Sequence, residues 1–156
     1  MPPESDKTDL AVHAGVGADL MFGRFGIRSE VIPNTIDLER FAYRARAPLR
    51  PRILSTRNFE DLYNNPCTLR AFRRVQDRYP DATLTLVGGG SGERALRQLA
   101  ASLGVRNVSF VGRVSPDTIW KYYADADIYL QTPDIDNMPG SVLEAFASGC
   151  LVVSTN

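Results

Sequence analysis

The sequence predicts an α/β protein built on a doubly wound parallel sheet. From residue 52 onward, short apolar, β-branched runs alternate with segments of helical period, five of the former with four of the latter. Runs of that composition suit strands covered on both faces, and strict alternation with helices suits parallel pairing. Short connections with right-handed crossovers then favour the Rossmann-like arrangement, with strand order 3-2-1-4-5.

Each element has its own warrant. Residues 1–8, MPPESDKT, are polar and Pro-rich and read as a frayed start. Leu10, Val12, Val16, Leu20 and Phe25 fall at helical spacing, predicting a helix over 9–25 that Gly26 stops. EVIP (30–33) reads as a short strand leading to Asn34 and the loop TIDLERF. AYRARAPLRP (42–51) is basic and Pro-punctuated without an apolar period, a linker composition, which places a boundary near 48–51. RILST (52–56) is the first strand of the regular region. A helix over 65–78 follows, with Leu69, Phe72 and Val75 on one stripe. TLTLV (83–87) is the second strand and runs into Gly88-Gly89-Gly90. Residues 92–103 form a helix facing in through Leu96, Leu99 and Leu103. VSFVG (108–112) is the third strand, and Ser115-Pro116-Asp117 caps a helix reaching about residue 124. DIYLQT (127–132) is the fourth strand. The segment DNMPGSVLEAFASG (136–149) supplies the last helix, with Leu143, Phe146 and Ala147 toward the core, and LVVST (151–155) is the fifth strand. An interior-type strand this close to the end of the sequence leads us to expect a fragment of a longer parent, lacking the last strand of its sheet.

Bulk properties exclude several classes. The 18 basic and 18 acidic side chains cancel, so no basic excess argues for nucleic acid. The arginines at 70, 73, 74 and 78 are spaced as a solvated helix face. Two distant cysteines, Cys67 and Cys150, offer neither a disulfide framework nor a zinc site. There is no charged-then-apolar leader, and no apolar run approaches the ~20 residues a bilayer span needs. A cytoplasmic protein is expected, with peripheral membrane attachment of the parent left open.

Ligands of doubly wound sheets sit outside the carboxyl ends of the strands. Those ends carry Arg57-Asn58, Gly88–Gly92, Gly112-Arg113 and Pro133–Gly140. The glycine stretch supplies either a tight turn or a phosphate cradle. GSGERA (90–95) fits G-x-G-x-x-A, but it follows the second strand, and the next strand ends in Val111-Gly112-Arg113 without an acid for a ribose. Asp125-Ala126-Asp127 and Asp134-Ile135-Asp136 are D-x-D pairs. The first is a turn at a strand entry, whereas the second keeps some claim to a divalent ion on a diphosphate. His13, the one histidine, lies outside the regular region and reads as structural or surface. Arg57 ends an interior strand, where a guanidinium can grip a diphosphate through paired hydrogen bonds; the alternative is a salt bridge to Glu60 or Asp61. Pro139 suits a first helical turn, and the N–H groups of Gly140, Ser141 and Val142 then meet phosphate oxygens at a positive helix end. Glu144 shares a face with Gly140 and Ser148 and suits the vicinal hydroxyls of a ribose, while Asp136 suits the hydroxyls of a second polyol. The order read is sugar, diphosphate, ribose. The bland reading of the same pair is a helix-dipole carboxylate with a capping aspartate.

VIPNTIDLERF (31–41), RILSTRN (52–58), LTLVGGG (84–90), VSFVGRV (108–114) and DNMPGSVLEAFASGCLVVST (136–155) together resemble the retaining glycosyltransferases of family 4, whose GT-B fold pairs two Rossmann-like domains. The last stretch is similar to that family's E-x7-E element. The resemblance implies that residues 48–156 are an incomplete carboxy-terminal donor domain. Residues 1–47 would be the tail of the amino-terminal, acceptor-side domain plus the interdomain linker. It implies transfer of a hexosyl group from a nucleotide-diphosphate sugar such as a UDP- or GDP-sugar, with retention and without metal or other cofactor. The acceptor, a glycan, lipid or small molecule, would be bound mostly by the missing domain, so the fragment alone is expected not to turn over. Arg57 matches the diphosphate arginine, Asn137, Met138, Pro139, Gly140 and Ser141 the loop meeting phosphate and sugar, and Glu144 the ribose glutamate. Gly88, Gly89, Gly90 and Arg113 complete the expected donor site. There are two departures. Asp136 stands for the first glutamate, and Leu62 and Tyr63 stand where the family often has a lysine, for which Arg113 is a substitute by position. Two alternatives stay open: a nucleotide-binding module that is no transferase, such as a nicotinamide enzyme domain, or a regulatory domain with a decayed donor site.

Overall fold

The computed structural model describes residues 9–13, 17–22, 25–30, 36–136 and 139–155. The chain divides into two units, residues 1–35 and 36–156.

The first unit is an antiparallel three-stranded sheet of β1 (Asp9–His13), β2 (Gly17–Phe22) and β3 (Phe25–Glu30), in that order. Leu10 pairs with Leu20 and Phe22 with Phe25. The helix predicted over 9–25 is therefore wrong. Gly15, Gly17 and Gly23 lie inside that span, and each costs a helix roughly 1 kcal/mol. Leu10 and Val12 also satisfy the two-residue period of a strand. Of the strand expected at 30–33, Glu30 ends β3 and the rest lies outside the described residues, as do the expected frayed start and Asn34.

The second unit holds a five-stranded parallel sheet: β4 (Arg52–Ser55), β5 (Thr83–Val87), β6 (Val108–Gly112), β7 (Ile128–Gln131) and β8 (Leu151–Ser154). Their order is β6-β5-β4-β7-β8, the predicted 3-2-1-4-5, with Ile53 level with both Leu84 and Ile128. The crossovers run through α1 (Asn65–Arg78), α2 (Glu93–Ser102), α3 (Trp120–Asp125) and α4 (Gly140–Ala147). Successive residues of β4 point to opposite faces, and Ile53 and Leu54 are only 4% and 1% exposed, so both faces of the central strand are covered. One core gathers Ile53, Leu69, Phe72, Leu84, Leu86 and Leu96. The other gathers Leu54, Phe41, Tyr123, Tyr129, Ala145 and Cys150.

Two helices depart from the reading in detail. Ser115 starts a turn, accepting from Thr118 N and Ile119 N through its carbonyl and from Asp117 N through its hydroxyl, and α3 proper begins only at Trp120. In α4 the buried face is Ala145 with Ser148 just beyond the helix, flanked by Val142 and Ala147. Phe146 is 59% exposed, so its predicted core position is wrong, and Leu143 is half-buried. Small residues take the inner face because α4 packs against the large rings of Tyr123 and Tyr129 in the same cluster.

The stretch of linker composition lies along the second unit. Phe41 meets Tyr123 edge to face, with ring centroids 5.6 Å apart. Asp127, 1% exposed at the amino end of β7, gathers the arginines of this stretch together with the first residue of β4: Arg52 Nη2 at 2.8 Å, Arg50 N at 2.9 Å, Arg44 Nη2 at 3.1 Å and Arg46 Nε at 3.6 Å. Burial works to raise the carboxyl pKa, but hydrogen bonds from Arg52 and Arg50 N and the charges of Arg52 and Arg50 outweigh it, giving about 2.

Candidate functional site

At the carboxyl ends of β4, β6 and β7 the fold assembles Arg57, Arg113 and the loop 132–136, with the start of α4 just beyond. Thr132 Oγ1 donates to Asn64 O at 2.9 Å, Asp134 N to Leu62 O at 3.1 Å, and Asn64 Nδ2 to Asp134 Oδ1 at 2.9 Å. The loops after β4 and β7 are thereby tied together, and Asp134 is a strut within them.

Arg57 is 11% exposed and Asp136 17%, and Arg57 Nη2 stands 2.5 Å from Asp136 Oδ2. The sequence alternative, a bridge from Arg57 to Glu60 or Asp61, does not form; Glu60 instead accepts from Ser91 N at 3.1 Å and Ser91 Oγ at 2.9 Å. Arg57 Nε donates to Gln131 Oε1 at 2.9 Å, and Nη2 donates to the same oxygen. The guanidinium carbon lies 5.3 Å from the Tyr63 ring centre. Tyr63, one of the two residues standing where the resemblance implies a lysine, thus offers Arg57 an aromatic face rather than a second charge.

Glu144 lies on α4, one turn after Gly140. Its carboxylate bears on the phenol of Tyr123, which is fully buried and hydrogen-bonded to Thr56 Oγ1 at 2.8 Å. Burial first, then Tyr129 and Glu144, push the Tyr123 phenol far above the ordinary tyrosine range, so it stays a protonated donor. Thr56 also meets Tyr129 Oη at 3.1 Å, which continues the network to the residue next to Arg57. The sequence reading missed Tyr63, Thr56, Tyr123, Tyr129 and Gln131. Thr56 was legible only as a neighbour of Arg57, Tyr63 only as one of two residues standing where the family often has a lysine, and the others as strand or helix filling.

Pro139 precedes α4 in an extended conformation, and Gly140 and Ser141 open its first turn, where N–H groups have no carbonyl one turn back. A side chain at Gly140 would meet open space. Among the described residues, Ser141 Oγ is buried without a hydrogen-bond partner, a state that calls for an explanation in a native fold. Asn137 and Met138 lie outside the described residues.

The glycine run has a steric account. A Cβ on Gly88 would lie 2.2 Å from Arg57 O, one on Gly90 2.4 Å from Glu60 Oε1 and 2.8 Å from Phe59 O, and one on Gly92 2.6 Å from Phe59 O. These residues are small because the loop after β4 passes directly over them. Gly89 faces the side chain of Arg113, whose Cγ would be 3.1 Å from an added Cβ. Arg113 therefore lies across the glycine loop at the carboxyl end of β6. Among the described residues, no cluster of three or more His, Cys, Asp or Glu could hold a metal ion, and no helix is long and apolar enough to cross a membrane.

Residues 42–156 match the family model described as "Glycosyl transferases group 1". Phosphatidyl-myo-inositol mannosyltransferase of Mycobacterium tuberculosis is 33% identical over 131 residues, covering 80% of this chain and 34% of that protein. The GDP-mannose-dependent alpha-(1-6)-phosphatidylinositol monomannoside mannosyltransferase of the same organism is 28% identical over 145 residues, covering 81% of this chain and 38% of that protein. The chain thus spans little more than a third of the length of either. Among solved structures, the C-terminal domain of a glycosyl transferase group 1 family protein (LpcC) from Francisella tularensis superposes with a TM-score of 0.66 at 20% identity, covering 77% of this chain and 70% of that one. That likeness concerns the fold.

Proposed function

The chain belongs to the glycosyl transferases group 1 family, and from that premise we propose that it forms the donor side of a retaining hexosyltransferase using a nucleotide-diphosphate sugar. The observation that carries the reading is the Arg57–Asp136 pair at the carboxyl side of the sheet, followed along the chain by the start of α4 and by Glu144. Arg57 lies 2.5 Å from Asp136 in the loop after β7, and α4 follows with Glu144 in its second turn. The diphosphate sits between Arg57 and the first turn of α4, with Ser141 Oγ as a further donor. Glu144 accepts from the ribose hydroxyls and Asp136 from the hydroxyls of the transferred sugar. As the glycosidic bond breaks, charge builds on the leaving diphosphate. Arg57 and the α4 dipole are already oriented to stabilise it, a preorganised electrostatic contribution that needs no bound metal. The acceptor, a glycan, lipid or small molecule, is presented by a further domain of the full-length protein. The GDP-mannose-dependent relative makes GDP-mannose the first donor to try, with UDP-sugars beside it.

Hydrogen exchange on the full-length protein tests this reading. GDP- or UDP-sugars are expected to protect the segments around Arg57 and Gly140–Glu144, and NAD(H) is not. Protection by NAD(H) at residues 88–95 instead would favour a nicotinamide site.

A further inference from the structure

Besides its ion pair with Asp136, Arg57 is hydrogen-bonded to a neutral residue. Gln131, the last residue of β7, is 3% exposed, and its amide oxygen accepts from both Nε and Nη2 of Arg57. Its amide nitrogen donates to Ser154 Oγ on β8 at 3.1 Å, and Ser154 Oγ donates onward to Thr155 O at 3.0 Å. The direction of this chain is fixed by chemistry. A guanidinium only donates, so the amide oxygen must face Arg57; the amide nitrogen must then face an acceptor, which Ser154 provides. Both ends of the amide are thus committed, and the guanidinium is held along one edge with the Tyr63 ring over its face.

We propose that Gln131 is the positioning residue of Arg57: it fixes the guanidinium edge-on at the crevice without cancelling its charge, and Ser154 fixes Gln131. The inference rests on the reading of Arg57 as the diphosphate cation. Gln131 itself touches no substrate. A carboxylate at this position would bind Arg57 more firmly and remove the charge the diphosphate needs. An apolar residue would leave the charge but release the side chain, so that ordering it is added to the cost of binding. The amide does neither. This matters here because Asp136 already takes part of the Arg57 charge.

The test uses the full-length protein with GDP and UDP, and the parent nucleosides guanosine and uridine, as competitive inhibitors. Gln131→Met is expected to weaken the nucleoside diphosphate about tenfold, the effect of a lost hydrogen bond to a charged group. Gln131→Glu, which keeps the shape, is expected to weaken it more while leaving the melting temperature unchanged or higher. Neither is expected to move nucleoside binding by more than about twofold. Ser154→Ala is expected to fall between wild type and Gln131→Met. Gln131→Glu binding the diphosphate like wild type, or nucleoside and diphosphate weakening together, overturns the assignment. Arg57→Ala separates the two readings. If it binds the diphosphate unimpaired, the role of Arg57 itself falls. If it loses the diphosphate while the Gln131 variants do not, only the positioning role falls.

Discussion

Arg57 and Asp136 were both picked out from the sequence as contacts to a ligand, and the fold brings them into contact with each other. The pairing follows from charge: two opposite groups in the loops after neighbouring strands, only partly exposed, lower their energy by meeting. On the proposed reading, a donor competes with Asp136 for the guanidinium. Asp136→Asn is expected to bind GDP or UDP at least as tightly as wild type in calorimetry, because an anion beside the diphosphate is gone. The same variant is expected to lose about 10- to 100-fold in kcat, since its amide is a poorer acceptor for the sugar hydroxyls. Weaker diphosphate binding in Asp136→Asn would show that the acid assists the phosphate site rather than competing with it. Arg57, Asp136 and Glu144 could be found in the sequence because charged residues stand out at strand ends and on an apolar helix. Gln131 and Tyr123 could not, because a polar residue closing a strand or a tyrosine in a helix has many structural uses, and only the fold shows which partner it meets.

At the level of elements, the glycines of the crevice differ in kind. Gly90→Ala would drive a methyl against Phe59 O and Glu60, and a destabilisation of about 1–3 kcal/mol is expected in chemical denaturation. Gly140 opens onto space at the start of α4, so Gly140→Ala is expected to preserve or raise stability by up to about 1 kcal/mol. Its cost should appear in donor binding if the methyl enters the proposed phosphate site. The five strands of the parallel sheet were legible because their apolar, β-branched composition and short turns agree with their tertiary burial. One helix and one side-chain facing failed where local pattern and packing part. Over residues 9–25 the apolar spacing is compatible with both periods, and the glycines favour strands. In α4 the largest side chain, Phe146, faces out, because the inner face has room only for Ala145 and Ser148 beside Tyr123.

For the molecule as a whole, the parallel order β6-β5-β4-β7-β8 puts the carboxyl ends of the strands, and so the candidate site, on one side, and the arginine cluster around Asp127 on the other. The Asp127 carboxyl sits at about 2 in the folded protein, below the ~3.9 of an unfolded aspartate. A lowered folded-state pKa contributes stability above the unfolded value, here about 2 kcal/mol, which is lost as pH falls from about 4 toward 2. Asp127→Asn is expected to melt well below wild type at pH 7, and the gap should narrow as both are acidified through that window. A gap independent of pH would assign the loss to packing rather than charge. The central claim concerns the other side of the sheet, and a crystal structure of the full-length protein with GDP-mannose or a UDP-sugar addresses it most directly. The account predicts phosphate oxygens at the N–H groups of Gly140 and Ser141 and within hydrogen-bond reach of Arg57, with the ribose on Glu144. Phosphates seated instead on the glycine run 88–92, with Arg57 still closed on Asp136, would contradict it.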